Sequence, residues 1–147
     1  MLGKSSWSTA AVSCHRIFVV DDYIPAARAI SQLLRLDGHT VVTAFSTNNL
    51  VEVALSFRPD IVLLDISLDG AEDGLVAAQL LRNESRLHGT VLVALTGRCD
   101  EDMVARATDA GFEFYLVKPV GWDDLQAVIA AVDDDRAPGR KDNSIAG

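Results

Sequence analysis

The chain has two cysteines in 147 residues, Cys14 and Cys99, and neither has a Cys or His neighbour at metal-ligand spacing. That excludes a disulfide framework and a zinc-finger pattern, and both read most simply as free thiols in a reducing compartment. Uninterrupted apolar runs are also scarce. The longest, such as "IVLL" and "VLVAL", are far too short to span a bilayer. The opening "MLGKSSWSTAAVSCH" has one Lys and no continuous apolar stretch, which makes it a poor signal peptide. Positive charge is in deficit as well: 13 Lys and Arg face 21 Asp and Glu, a net −8. This argues against a nucleic-acid-binding face and, more weakly, against anionic membranes. A cytoplasmic protein is expected, with no membrane and no nucleic-acid partner.

What is present describes an ordinary globular domain. Hydrophobic residues make up 49% and charged residues 23%, enough for a real core in a chain of this length. From residue 16 two kinds of segment alternate. Short β-branched runs, "RIFVV" (16–20), "TVVTAF" (40–45), "IVLL" (61–64), "TVLVAL" (90–95) and "FEFYLV" (112–117), read as strands. Between them come helical stripes. The first comprises Ala26, Ala29, Ile30, Leu33 and Leu34 and runs from near Pro25 to Gly38; the second comprises Leu50, Val53, Ala54 and Phe57 and ends at Pro59. "GLVAAQLLRNESRL" (74–87) is the third, and Met103, Val104, Ala107 and Ala110 mark the fourth, closed by Gly111. Trp122, Leu125, Val128, Ile129 and Val132 define the last, which opens with Asp123 and Asp124.

Five βα units in a row predict an α/β fold: a doubly wound, flavodoxin-like three-layer sandwich, with a parallel sheet in the order 2-1-3-4-5. Strands 3 and 4 are apolar on both faces, as a sheet covered by helices on both sides requires. The expected organisation is a domain over 16–134 between disordered tails at 1–15 and 135–147, with no internal repeat and no room for a second domain.

In such sheets the site lies at the carboxyl ends of the strands, where strand order reverses. Those ends carry Asp21 and Asp22 after strand 1, Asp65 after strand 3, Thr96 after strand 4 and Lys118 after strand 5. Adjacent acids after a strand could be turn and capping residues. Three converging carboxylates, however, would raise one another's pKa unless a cation joins them. Oxygen-only ligands favour Mg²⁺, with Mn²⁺ possible. A metal flanked by a hydroxyl and a lysine suits phosphoryl transfer.

The motifs "VVDD", "LLDI", "LTG" and "VKP", in this order, closely resemble the receiver domain of two-component response regulators, the CheY-like superfamily. The resemblance spans roughly residues 16–134. It implies that Asp65 accepts a phosphoryl group from a histidine kinase or histidine phosphotransfer protein. It also implies that Asp21, Asp22, Asp65 and the backbone carbonyl of Ser67 hold Mg²⁺. Thr96 and Lys118 would contact the phosphoryl oxygens. Thr96 and the aromatic Tyr115 would form the switch, with Gly97 as the small residue beside it and Lys118–Pro119 as a cis peptide. On this reading the protein is a single-domain response regulator in phosphorelay signalling. It would be no enzyme beyond its own phosphotransfer and autodephosphorylation. Output would pass through helix 4, strand 5 and helix 5 to a downstream protein or a second copy. Two departures stand out: Asp69 occupies a position where a proline is common, and "STNNL" before helix 2 lacks the usual glycine. A haloacid-dehalogenase-type phosphatase is disfavoured because Ser67 replaces the second acid of a D-x-D motif. A flavin module is disfavoured because acids follow strand 1. A docking-only pseudo-receiver conflicts with the full acceptor set.

Overall fold

The computed structural model describes residues 14–68, 73–98 and 100–136, the side chains of 135 and 136 excepted. Five parallel strands, β1 (Arg16–Val20), β2 (Thr40–Ala44), β3 (Ile61–Asp65), β4 (Val91–Thr96) and β5 (Phe114–Val117), form one sheet in the order β2-β1-β3-β4-β5. Five helices alternate with them: α1 (Ile24–Leu36), α2 (Leu50–Phe57), α3 (Asp73–Arg82), α4 (Glu101–Ala110) and α5 (Trp122–Arg136). This is the doubly wound arrangement expected from the alternation of segments.

Strand periodicity divides the core into two layers. Phe18, Val20, Val62, Leu64, Leu92 and Ala94 point to one face, where Leu50, Ala54, Ala77, Leu81, Met103 and Ala107 of α2, α3 and α4 cover them. Ile17, Val19, Ile61, Leu63, Val93 and Leu95 point to the other, beneath Ala27, Ile30 and Leu34 of α1 and Leu125, Ile129 and Val132 of α5. All five residues of β3 are buried, so the central strand carries no solvent-facing side.

Four local differences from the sequence reading have clear causes. The buried face of α1 is Ala27, Ile30, Ser31 and Leu34, one residue round from the expected stripe, and Leu33 is left 43% exposed. Ser31 can be buried because its hydroxyl meets Thr43 Oγ1 on β2 at 2.7 Å. The start of α2 needs no glycine, because Asn49 takes the left-handed conformation at φ 58°, which asparagine tolerates better than most residues. The third helix stops at Arg82 rather than running to 87, and a 3₁₀ turn (Ser85–Leu87) follows. The Arg82 guanidinium secures that turn by donating to the carbonyls of Leu87 and Thr90. Finally, β5 starts at Phe114 rather than 112, while Phe112 is buried just beyond the left-handed Gly111.

His15, expected in the tail, is buried, and α5 continues to Arg136. The expected tails otherwise fall on residues 1–13 and 137–147, outside the described residues, as do Asp69 and Cys99. His15 donates its backbone N–H to His39 Nδ1 at 3.0 Å, and its Nε2 lies 2.8 Å from Asp133 Oδ1 on α5. Its Nδ1 is 3.6 Å from Asp60 Oδ2, and Asp37 Oδ2 lies 3.5 Å from His39 Nε2. Burial, reinforced by His15, pushes the His39 pKa below its usual 6.5 despite Asp37 and Asp133 nearby. The unfolded chain therefore takes up this proton first. Stability supplied by neutral His39 is complete above the unfolded pKa and is lost as the pH falls below about 6.5. Urea unfolding at about pH 7.5 and about pH 5.5 should show this loss. His39→Asn, which keeps an acceptor but cannot titrate, should lose less; equal losses in both proteins would rule out His39 as the source.

Candidate functional site: an acidic pocket at the carboxyl edge of the sheet

Backbone pairing continues one residue past three of the strands and fixes the site's frame. Asp21 N–H donates to Ala44 O at 3.1 Å, Ile66 N–H to Leu95 O at 3.0 Å and Lys118 N–H to Thr96 O at 2.7 Å. Since β1 lies beside β3 and β3 beside β4, Asp21, Asp65 and Thr96 emerge along one edge. Lys118 follows β5, and the Lys118–Pro119 peptide is cis, as the resemblance implied.

The buried carboxylates share one design. Asp21 Oδ1 accepts the backbone N–H of Tyr23 at 3.0 Å, and Asp65 Oδ1 accepts that of Ser67 at 3.0 Å. The second oxygens, Asp21 Oδ2 and Asp65 Oδ2, lie 3.3 and 3.0 Å from Lys118 Nζ. Asp21 thus serves in both capacities that its sequence position left open, as a turn residue through one oxygen and as a site carboxylate through the other. Both carboxylates are 1% exposed, whereas Asp22 is exposed at the rim.

Electrostatics follow from this packing. Burial pushes the Asp21 carboxyl above its ordinary range, and the Asp65 charge adds to the effect, while the Tyr23 amide and Lys118 oppose it. Burial works against the Lys118 ammonium, but its contacts with Asp65 and then Asp21 outweigh this and hold its pKa above the usual lysine value. Asp21 Oδ2 is close enough to Lys118 for an ion pair yet has no hydrogen-bond partner among the described residues. A buried carboxylate oxygen without a hydrogen-bond donor is costly and calls for a cation.

A carboxylate oxygen from each of Asp21, Asp22 and Asp65 lies within 4.8 Å of the others. With oxygen donors alone, and an unsatisfied oxygen among them, these residues fit Mg²⁺ or Mn²⁺ rather than zinc. Thr96 is at the same edge and 4% exposed, but its hydroxyl is engaged locally: it donates to Arg98 O at 2.9 Å and accepts Arg98 N–H at 3.0 Å. A Cβ placed on Gly97 would meet nothing within 4 Å among the described residues. Tyr115 is half-buried on β5, and its hydroxyl is hydrogen-bonded to Thr108 of α4. Sequence reasoning missed Thr108, since a threonine on an exposed helical face carries no signal of its own.

The site also opens onto an apolar groove of about 490 Å³ lined by Asp21, Tyr23, Ala29, Leu33, Lys118 and Val120, among others. The residues of α1 that the sequence placed in the core (Ala26, Ala29 and Leu33) are part of its wall.

Residues 17–130 match the family model for the response regulator receiver domain. The chain belongs to that family. It is 32% identical over 126 residues to the transcriptional regulatory protein PdtaR of Mycobacterium tuberculosis, covering 85% of this chain and 59% of that protein. It is 28% identical over 123 residues to the phosphate regulon transcriptional regulatory protein PhoB of Pseudomonas aeruginosa, covering 84% and 53%. The chain thus spans a little over half the length of these curated relatives. Among solved structures, the chemotaxis response regulator CheY4 of Vibrio cholerae superposes with a TM-score of 0.75 at 22% identity, covering 82% of this chain and 99% of that one. That likeness establishes the flavodoxin-like fold of receiver domains.

Proposed function

We propose that this receiver domain accepts a phosphoryl group on Asp65 and uses it to switch protein–protein contacts in phosphorelay signalling. The observation that carries the reading is the convergence of Asp21, Asp22, Asp65 and Lys118 at the end of the central strand. A carboxylate oxygen of Asp65 attacks the phosphorus of a donor phosphohistidine. The new O–P bond forms as the P–N bond breaks, and the electron pair returns to the imidazole. Lys118, already 3.0 Å from Asp65, is placed to balance the charge on the phosphoryl oxygens. Thr96 reaches them once it releases Arg98. Mg²⁺, held by Asp21, Asp22, Asp65 and the Ser67 carbonyl, would supply further neutralisation of the phosphoryl charge.

The groove lined in part by Asp21 and Lys118 offers a histidine kinase or phosphotransfer protein an apolar seat at the edge of the site. Tyr23, just before α1, is 64% exposed and Leu33 of α1 is 43% exposed on the groove's wall. The position of Tyr115 on β5, bonded to Thr108 of α4, supports output through α4, β5 and α5 to a protein target or a second copy. The net charge of −8 favours such partners over direct contact with nucleic acid. The protein does no catalysis beyond its own phosphotransfer and autodephosphorylation. Among the described residues no helix is long and apolar enough to cross a membrane, in keeping with a proposed cytoplasmic location.

Incubation with Mg²⁺ and acetyl phosphate, followed by intact-mass measurement, should show the gain of one phosphoryl group. An unchanged mass with this donor, and with a phosphorylated histidine donor, would overturn the reading. A separate expectation concerns the metal. Backbone NMR shifts on Mg²⁺ titration should be largely lost in Asp22→Ala, because Asp22 is the exposed ligand at the rim. An undiminished response would place the ion elsewhere.

A further inference from the structure

Both hydroxyls of the expected switch are already engaged, and they are held by the same stretch of chain. Thr96 is closed on Arg98, in the loop that leads into α4, and Tyr115 is tied to Thr108 near the other end of that helix. Thr108 Oγ1 also donates to the carbonyl of Val104, one turn earlier, at 2.8 Å. A hydroxyl has a single hydrogen to donate. With that hydrogen on Val104, the Tyr115 hydroxyl must be the donor and Thr108 the acceptor.

The helix that carries Thr108 is well anchored. Asp100 caps its N-terminus through Met103 N–H at 2.9 Å, Met103, Ala107 and Ala110 are buried beneath it, and Gly111 closes it. Thr108 therefore offers Tyr115 a fixed acceptor on the outer side of β5. The bond exists only while the ring points outward. When Thr96 leaves Arg98 for a phosphoryl oxygen, the ring can turn into the vacated space only by giving up Thr108.

We propose that Thr108 is the positioning residue that holds Tyr115 in its outward state, and that this hydrogen bond sets how readily the domain switches. The proposal rests on the phospho-acceptor reading of Asp65. An interaction made in one state alone opposes every ligand that prefers the other, so removing it strengthens that ligand's binding. Because the bond is exposed, the expected effect is modest, about 2- to 5-fold.

Beryllofluoride, a phosphoryl mimic, tests this when titrated with Mg²⁺ and followed by NMR. Thr108→Val keeps the side-chain shape and loses the acceptor, and it should bind the mimic about 2- to 5-fold more tightly than the native chain. Thr108→Ser keeps the acceptor and should bind as the native chain does. In a Tyr115→Phe background Thr108→Val should change nothing, because the donor is already gone. An unchanged affinity in the native background would overturn the proposal, as would the same change in both backgrounds, which would mark Thr108 as a structural residue only. Failure of the native chain to bind the mimic at all would count against the acceptor reading instead. The orientation of Tyr115 can still be read in that case. The chain has two tyrosines, so fluorotyrosine labelling gives two ¹⁹F resonances, from Tyr23 and Tyr115. The Tyr115 signal should move in Thr108→Val and stay in place in Thr108→Ser, and a resonance indifferent to Thr108→Val would end the proposal.

Discussion

Asp65→Asn is expected to take up no phosphoryl group from acetyl phosphate and Mg²⁺, under conditions where the native chain gains one. The substitution keeps the shape of the side chain, and the amide oxygen can still accept the Ser67 N–H that now binds Asp65 Oδ1 at 3.0 Å. Lys118 retains Asp21 as a partner, 3.3 Å away. The fold therefore has no reason to fail, and what disappears is the nucleophile. Neither remaining acid is a good substitute. Asp21 has one oxygen bound to Tyr23 N–H and is buried, with its carboxyl pushed above the usual range, while Asp22 is exposed at the rim; Asp65 Oδ2 is the carboxylate oxygen held 3.0 Å from Lys118. A loss of more than about 100-fold is expected, in line with removing a nucleophile outright. A variant that folds normally and still gains one phosphoryl group stoichiometrically would refute Asp65 as the acceptor.

The elements that are legible in the amino-acid sequence share a property: a periodic pattern backed by a topological rule. Short, β-branched apolar runs such as "FVV", "IVLL" and "VLVAL", set between helical stripes, identify strands, and five βα units leave few sheet orders open. The rule that ligands gather at strand ends then brings Asp21, Asp65, Thr96 and Lys118 together although they are far apart in sequence. The buried face of α1 is harder to place because its signal is weak. Ala26, Ala27 and Ala29 are the same residue type and so do not mark one face over another, and Ser31 looks like a surface residue until Thr43 on β2 supplies its partner. His15 reads as tail because its burial depends on His39 and Asp133, 24 and 118 residues away. The switch is legible only as residue types. That Thr96 is closed on Arg98 and Tyr115 on Thr108 are conformational facts, and no spacing encodes them.

Gly74→Ala is expected to damage both stability and phosphorylation, although residue 74 carries no functional group. Gly74 is the second residue of α3, and its N–H donates to Ile66 O at 2.9 Å, which pins the helix start against the end of β3. A Cβ there would lie 2.1 Å from the carbonyl oxygen of Asp65, 2.6 Å from Ile66 Cα and 2.9 Å from the Asp65 carbonyl carbon. All three contacts are backbone atoms, so no side-chain rotation can relieve them. Either α3 backs away from the sheet, opening the core around Ala77, Ala78 and Leu81, or the turn after Asp65 moves. The first route costs stability, on the order of 3 kcal/mol for strain of this kind in a packed interior. The second displaces the acceptor itself, where a misplacement of about 1 Å can cost a reaction roughly 100-fold. Gly97→Ala provides the contrast, since a Cβ at that position meets nothing within 4 Å. Urea unfolding midpoints and acetyl phosphate labelling rates, compared for the two variants, should separate them: Gly74→Ala impaired in one or both, Gly97→Ala near the native chain in stability. Native stability together with a native labelling rate in Gly74→Ala would show that the approach of α3 to Asp65 is not the constraint that the backbone geometry makes it.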